Sequence, residues 1–364
     1  MSLDAAKPFQ FFAAEVSYFS AKVRPALRYK GIPYQEIAPS PEAYRDVIVP
    51  RTGVAFIPVV ITPEDEVLQD SSFILDELER RIPDPALYPA TSVQRVVAYL
   101  IEVYADEFGL LPAMHYRWSF PESEAKARED FAAASGNREA GQRFADRMKG
   151  TLPALGICPE SIPAIEAHTR DLLGALSHHF EAQDFLLGSR MSLADCALMG
   201  PLYAHLYLDA VPGRLLRETA PLVCAWIERM KDPEPGSGTF LPKDALAPSL
   251  RALLELIGRD AIPVILDTLR AFESWADRQP EEIDELPRGV STHRTQLRGV
   301  SFDRYTSSYT LWMVQRPLAV YENLSGTARS AVDRALEGTD LGAILRYVPR
   351  HRLGKRKFKL VRES

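Results

Sequence analysis

Between Phe11 and Glu79 the apolar pattern switches repeatedly from strand-like alternation to helix-like spacing, and this constrains the fold more than anything else in the chain. Phe11-Phe12-Ala13-Ala14-Glu15-Val16 reads as a strand that stops at Ser17-Tyr18-Phe19-Ser20. Lys22, Val23, Arg24, Ala26, Leu27, Tyr29 and Lys30 then form a basic, apolar helical pattern closed by Gly31. Ile32 to Ile37 is a second short strand, Phe56 to Ile61 a third and Glu66 to Gln69 a fourth, with Pro63-Glu64-Asp65 as the turn between the last two. Asp70-Ser71-Ser72 caps a helix from Phe73 to Arg81. Strand, helix, strand, helical connector, hairpin, helix is one small α/β layer.

Three positions in that layer carry chemical interest. Ser17 lies at the strand-to-helix corner, where a serine caps a helix and where unpaired N–H groups and the helix dipole favour negative charge. Pro58 sits just inside a strand and removes a ladder donor. It marks either an edge strand or a cis bond that leaves the Ile57 N–H and C=O free for a peptide ligand. Asp70-Ser71 stands at a helix start, which suits both capping and a bound carboxylate. Pro25 bears on the first site. An interior proline costs a helix about 3 kcal/mol, so the helix either starts late, near Arg24, or has an irregular first turn.

Ser17 six residues before Val23, Ile57-Pro58, and Asp70-Ser71 twelve and thirteen residues after Pro58 together resemble the thioredoxin-like N-terminal domain of the glutathione S-transferase superfamily. The resemblance implies that Ser17 is the catalytic residue, donating a hydrogen bond to the bound glutathione thiolate. It implies that Ile57 and Pro58 present backbone to the cysteinyl part and that Asp70 and Ser71 hold the γ-glutamyl group. A thiol of pKa ~8.5 at such a helix start ionises more readily, because the thiolate gains the contacts. The lead into Ile57-Pro58, from Pro39 to Gly53, is longer than is common in the family. Lys30 and Arg51 are both available to meet a glutathione carboxylate, and spacing does not choose between them.

Pro83-Asp84-Pro85 and Tyr88-Pro89 form a proline-dense linker, after which the pattern is helical. Val93 to Phe108 is the first long helix, and the resemblance makes Tyr18, Tyr104, Phe108 and His115 the wall of the acceptor site, with Tyr116 and Trp118 as further candidates. Aromatics on such a helix also serve as core. His178-His179 reads as helix surface. Ser192-Leu193-Ala194-Asp195 reads as a capping box opening a buried helix from Leu193 to Tyr207, and resembles the superfamily's fold signature. After Asp232 come further helices over Leu246 to Ile257, Ile262 to Ala276 and Thr310 to Leu324, the last kinked at Pro317, and a hairpin around Arg298-Gly299. The basic run from His351 to Arg362, interleaved with Phe358, Leu360 and Val361, reads as a final edge strand guarded by charge rather than as a patch for an anionic partner.

A net charge of −6 leaves no basic face for nucleic acid, and no run approaches the roughly 18 apolar residues of a membrane span. Cys158, Cys196 and Cys224 are scattered, which points to neither disulfides nor zinc and places the chain in a reducing compartment, the cytoplasm. The expectation is α/β plus all-α. A thioredoxin-like glutathione-binding domain (1–82) and a linker (83–90) precede an all-helical C-terminal domain (91–232) and a mainly helical extension (233–364). Function follows the resemblance: glutathione is the cosubstrate, its thiolate attacks a small electrophile, no metal takes part, and the chain pairs as a homodimer. The rival readings are a non-catalytic binding or assembly protein on the same fold, and a glutathione-dependent isomerase or dehalogenase.

Overall fold

In the computed structural model, which describes residues 7–280, 283 and 285–363, the N-terminal layer is a four-stranded sheet. The strands are β1 (Phe9–Phe12), β2 (Tyr34–Ile37), β3 (Val59–Ile61) and β4 (Val67–Gln69), in the order β2-β1-β3-β4. β1 and β2 are parallel and the other pairs antiparallel, with Phe12 opposite Val59 and Val59 opposite Gln69. That register brings the end of β1, the start of β3 and the end of β4 to one end of the sheet. Ser17 and Asp70 follow the first and last of these, and Pro58 stands just before β3.

Helix α1 (Tyr18–Tyr29) starts immediately after Ser17 and carries Pro25 within it, so the late start that proline allowed does not occur. The connector from residue 41 to residue 52 is helical in three short pieces, with a π-type turn at Tyr44–Ile48, and ends at Gly53 in the left-handed region (φ 72°). Helix α2 (Ser71–Arg81) closes the layer.

The helical half begins with α3 (Ser92–Glu107) and α4 (Leu110–Trp118), followed by the paired α5 (Pro121–Ser135) and α6 (Arg138–Lys149) and by α7 (Ile162–Phe180). Helix α8 (Leu193–Met199) opens with the expected capping box and passes into a π-helical stretch, Gly200–Tyr207. Asp195 also accepts from the Leu186 N–H (3.0 Å) and the Trp226 indole (3.1 Å), tying the turn before α8 to a later helix. His179 departs from expectation. It is fully buried between Ser249 and the Phe185 carbonyl, while His178 alone faces outward.

The extension packs back onto both domains. Its two expected leading helices are one, α9 (Arg251–Ala276), which runs through Pro263. Hairpin β5 (Gly289–Leu297) and β6 (Val300–Ser307) lies on α9. Helices α10 (Tyr309–Glu322) and α11 (Gly326–Leu336) both pack along α3. The basic run forms not one strand but a second hairpin, β7 (Arg352–Arg356) and β8 (Lys359–Glu363), and each of its strands is an edge as expected. Gln315 of α10 pins it, donating to the Leu353 carbonyl (2.8 Å) and accepting from the Leu353 N–H (2.9 Å). The connector before α9 reaches back too, where Asp244 accepts from the Val93 and Gln94 N–H groups at the start of α3 (2.8 and 2.9 Å). Among the described residues, no helix is long and apolar enough to cross a membrane.

Candidate functional site

Ser17 caps α1 from an extended conformation (φ −85°, ψ 126°), and its hydroxyl oxygen lies 3.4 Å from the Ser20 N–H. Among the described residues that hydroxyl donates to no protein acceptor, which leaves its proton for a ligand. Its position is held from both sides. The buried Arg117 guanidinium donates to the Val16 carbonyl (3.0 Å), and the Tyr18 hydroxyl donates to the Ala105 carbonyl (2.6 Å). The corner is therefore clamped by the helical half before any ligand arrives.

The Ile57–Pro58 peptide is cis, and among the described residues the Ile57 N–H and C=O take no partner. Ile57 is half-buried, so its backbone has a donor and an acceptor to spare at this end of the sheet. Asp70 has φ 84°, rare for a residue with a side chain, and caps α2 through its carboxylate, which accepts from the Ser72 and Phe73 N–H groups (3.1 and 3.2 Å). Strain at such a position is retained where surrounding contacts fix it. Ser71 follows as the first residue of α2.

Behind this end lies a buried charge network. Lys22 of α1 donates to the Ser72 hydroxyl (2.8 Å), Glu102 (2.8 Å) and Asp106 (2.6 Å). Arg316 of α10 bridges Glu102 (3.1 Å) and Asp76 (2.5 Å). Burial pushes the Asp106 carboxyl up to about 7 against the pull of Lys22, with the neighbouring Glu102 adding to the rise, and one oxygen of Asp106 has no partner. Glu102 moves the other way: Arg316 and Lys22 outweigh its burial and lower it.

The four side chains expected on an acceptor wall are in the packed interior instead. Tyr18 lies against Gly109 and Gly200, where an added Cβ would come within 2.7 and 2.6 Å of its ring or hydroxyl. Tyr104 is hydrogen-bonded to His168 (2.8 Å), which in turn meets Asp260 (2.8 Å). Phe108 is fully buried beside that His168 ring. His115 is 1 % exposed between Ser119 and Glu166. Helical spacing grouped Tyr104 and Phe108 on one face of α3. It did not distinguish a core from a cleft. Lys30 and Arg51 are also committed, the first to Glu79 and the Ile82 and Pro85 carbonyls, the second to Asp65.

Sequence reasoning missed the residues that the extension brings to Asp70. The Tyr309 hydroxyl donates to one carboxylate oxygen, and the Lys355 ammonium stands 3.5 Å from the other. Burial alone would raise the Asp70 carboxyl, but Lys355, Tyr309 and Lys22 together hold it below its ordinary value. The Lys355 ammonium rests on the Trp312 ring (3.8 Å to the centroid), and Arg288 lies over both Phe56 (4.7 Å) and Tyr309 (5.3 Å). The only signal in the sequence was the basic run itself, read there as edge protection. Among the described residues no group of side chains is arranged to hold a metal ion.

Two family models match the chain. The glutathione S-transferase N-terminal domain matches residues 11–86 and the glutathione S-transferase C-terminal domain residues 161–232, so neither reaches the extension. No curated protein matches the chain. Among solved structures the chain is similar to a glutathione S-transferase of Methylobacterium radiotolerans in complex with glutathione sulfonate, at 21 % identity over 65 % of this chain and 99 % of that one, with a TM-score of 0.40. It is similar to a glutathione transferase of Phanerochaete chrysosporium at 14 % identity over 65 % and 100 % of the two chains (TM-score 0.47). It is also similar to a β-etherase of a Sphingobium species at 16 % identity over 63 % and 97 % (TM-score 0.42).

Proposed function

From the premise that this chain belongs to the glutathione S-transferase superfamily, both of whose domains it carries, we propose that it binds glutathione at the Ser17–Pro58–Asp70 end and transfers the thiol to a small electrophile. The observation that supports this reading best is the free donor capacity gathered there: the Ser17 hydroxyl at the start of α1 and the unpaired Ile57 backbone, at the end of the sheet that Asp70 shares. The Ile57 N–H and C=O pair with the cysteinyl residue as a short strand would. The sulfur then lies at the start of α1, where the dipole and the Ser17 hydroxyl favour the thiolate over the thiol. The thiolate attacks an electrophilic carbon, the new C–S bond forms, and the leaving group departs with its electron pair. Ser17 is not consumed. A serine at this corner cannot form a mixed disulfide with glutathione, which favours conjugation over reductase chemistry. The fold alone does not separate a transferase from an isomerase or dehalogenase using the same thiolate.

A cytoplasmic location and pairing into a homodimer accompany this reading. A homodimer would use faces other than those of α3 that α10 and α11 cover. A second reading, a non-catalytic binding or assembly protein, gains support from one observation: Asp70 already has both carboxylate oxygens engaged within the chain.

Calorimetry with glutathione on wild type, Ser17→Ala and Asp70→Ala, with thiolate absorbance followed against pH, tests the proposal. Wild type binds, Asp70→Ala binds more weakly, and Ser17→Ala binds with the pKa of the bound thiol raised by roughly one unit, the scale of a single charge-assisted hydrogen bond. No binding to wild type at millimolar glutathione overturns the transferase reading in favour of the second.

A further inference from the structure

The γ-glutamyl end of the proposed site is already furnished from the extension. Asp70 Oδ1 accepts from the Ser72 and Phe73 N–H groups and lies 3.5 Å from the Lys355 ammonium, while Oδ2 accepts from the Tyr309 hydroxyl. Lys355 does not reach this place by chance of a loose surface chain. Its side chain is 17 % exposed, its ammonium sits over the Trp312 ring and 3.3 Å from the Tyr309 oxygen, and its strand is pinned through Leu353 to Gln315. Arg288 adds a second cation over the Tyr309 ring, and it lies over Phe56 as well.

This arrangement alters what the site can recognise. A γ-glutamyl group ends in a carboxylate and an ammonium on one carbon. Its ammonium, arriving at Asp70, meets an ammonium already in place and no carboxylate oxygen without a partner, so Lys355 must leave its carboxylate and its aromatic ring. A carboxylate arriving at the same end meets Lys355 as a partner. It also finds the first N–H of α2, that of Ser71, which among the described residues is unpaired.

We propose that Lys355, seated by Tyr309 and Trp312, stands in for the ligand's α-ammonium, so that this end of the site selects an acyl group bearing a carboxylate and no amine. The substrate class is a thiol peptide capped by a dicarboxylic acid, a glutaryl-type rather than a γ-glutamyl-type thiol. Lys355 and Tyr309 are then specificity-determining residues supplied by the extension. This rests on the reading of the Ser17–Pro58 end as a thiol-peptide site. Glutathione enters the same site only by displacing Lys355.

The test compares glutathione with its deamino analogue, glutaryl-cysteinylglycine, by calorimetry on the full chain. Wild type binds the analogue about tenfold more tightly than glutathione, the discrimination expected when one of two ligands must break a charge pair to enter. Lys355→Met reverses the order, because the glutathione ammonium then meets Asp70 unopposed. Tyr309→Phe releases Oδ2 and narrows the ratio roughly threefold, and it decides the matter if circular dichroism shows Lys355→Met unfolded. A wild type that prefers glutathione, or a ratio unmoved in both variants, overturns the inference and leaves the proposed function standing. Binding of neither ligand by wild type overturns both, since the two share the cysteinylglycine end.

Discussion

Replacing Lys22 by Met removes an ammonium that Ser72, Glu102 and Asp106 share while keeping the length of the side chain. Breaking one side of a buried ion pair costs about 3–5 kcal/mol, because a charge is left behind without compensation. Here the cost depends on pH. Glu102 retains Arg316, but among the described residues Asp106 retains no cation within bonding distance. In the wild type the folded Asp106 carboxyl titrates at about 7, above the ~3.9 of an unfolded chain. The folded state therefore holds that proton more tightly. This group's contribution is fully present below about pH 4, falls as pH rises toward 7, and is level above it.

Without Lys22 the carboxyl stays protonated to higher pH, so the fall continues past 7. At about 1.4 kcal/mol per pH unit, moving from pH 7 to about pH 8.5 adds roughly 2 kcal/mol to the loss. At about pH 5.5 Asp106 is neutral in both proteins, and the loss is that of the lysine's hydrogen bonds to Glu102, Ser72 and the neutral Asp106, worth roughly 2 kcal/mol. Urea unfolding should thus show Lys22→Met less stable by about 2 kcal/mol at the lower pH and about 4 kcal/mol at the higher. Equal losses at the two pH values, or a smaller loss at the higher, would refute the assignment of Asp106 as the carboxylate left uncompensated.

Asp195→Ala strips the acceptor from the Ser192 and Leu186 N–H groups and the Trp226 indole, and should cost roughly 3 kcal/mol in the same assay. Its glutathione affinity should change less than tenfold, since Asp195 only holds the fold. Gly258→Ala places a methyl 1.5 Å from the Thr339 carbonyl oxygen, so α9 and the turn after α11 must part. A loss of about 3 kcal/mol or more is expected in unfolding by urea, and a neutral result would contradict this packing.

What the sequence made legible was local or short in range. The switch from strand to helix period located β1, α1 and the β3–β4 hairpin, and Ser17, Pro58 and Asp70 stood out because serine, proline and aspartate are each unusual or informative at such corners. Ser192 and Asp195 announced their capping box at a spacing of three. The extension's hairpin at Arg298-Gly299 was read from a turn signal. What stayed hidden was long in range or ambiguous in direction. Tyr309 and Asp70 are 239 residues apart, and no local pattern says that one will close on the other. The lysine of a hairpin looks the same whether it repels a neighbouring edge or completes a carboxylate. Lys22 had the same disguise, one cation among several on a basic, apolar helix that also carries Arg24 and Arg28. Tyr104 and Phe108 were expected on an acceptor wall, but His168, held by Asp260 of the extension, packs against both, so the face of α3 they share is interior.

The separation of Asp70 from Lys355 along the chain also has a meaning in time. A ribosome adding about 5–20 residues each second needs on the order of fifteen seconds to a minute to pass from one to the other. During that interval the first sheet and its helices have emerged, and Asp70 has neither its lysine nor, for most of the wait, its tyrosine. Until then Asp70 can draw only on the cap contacts to Ser72 and Phe73, and the lysine joins it later than any of its other partners.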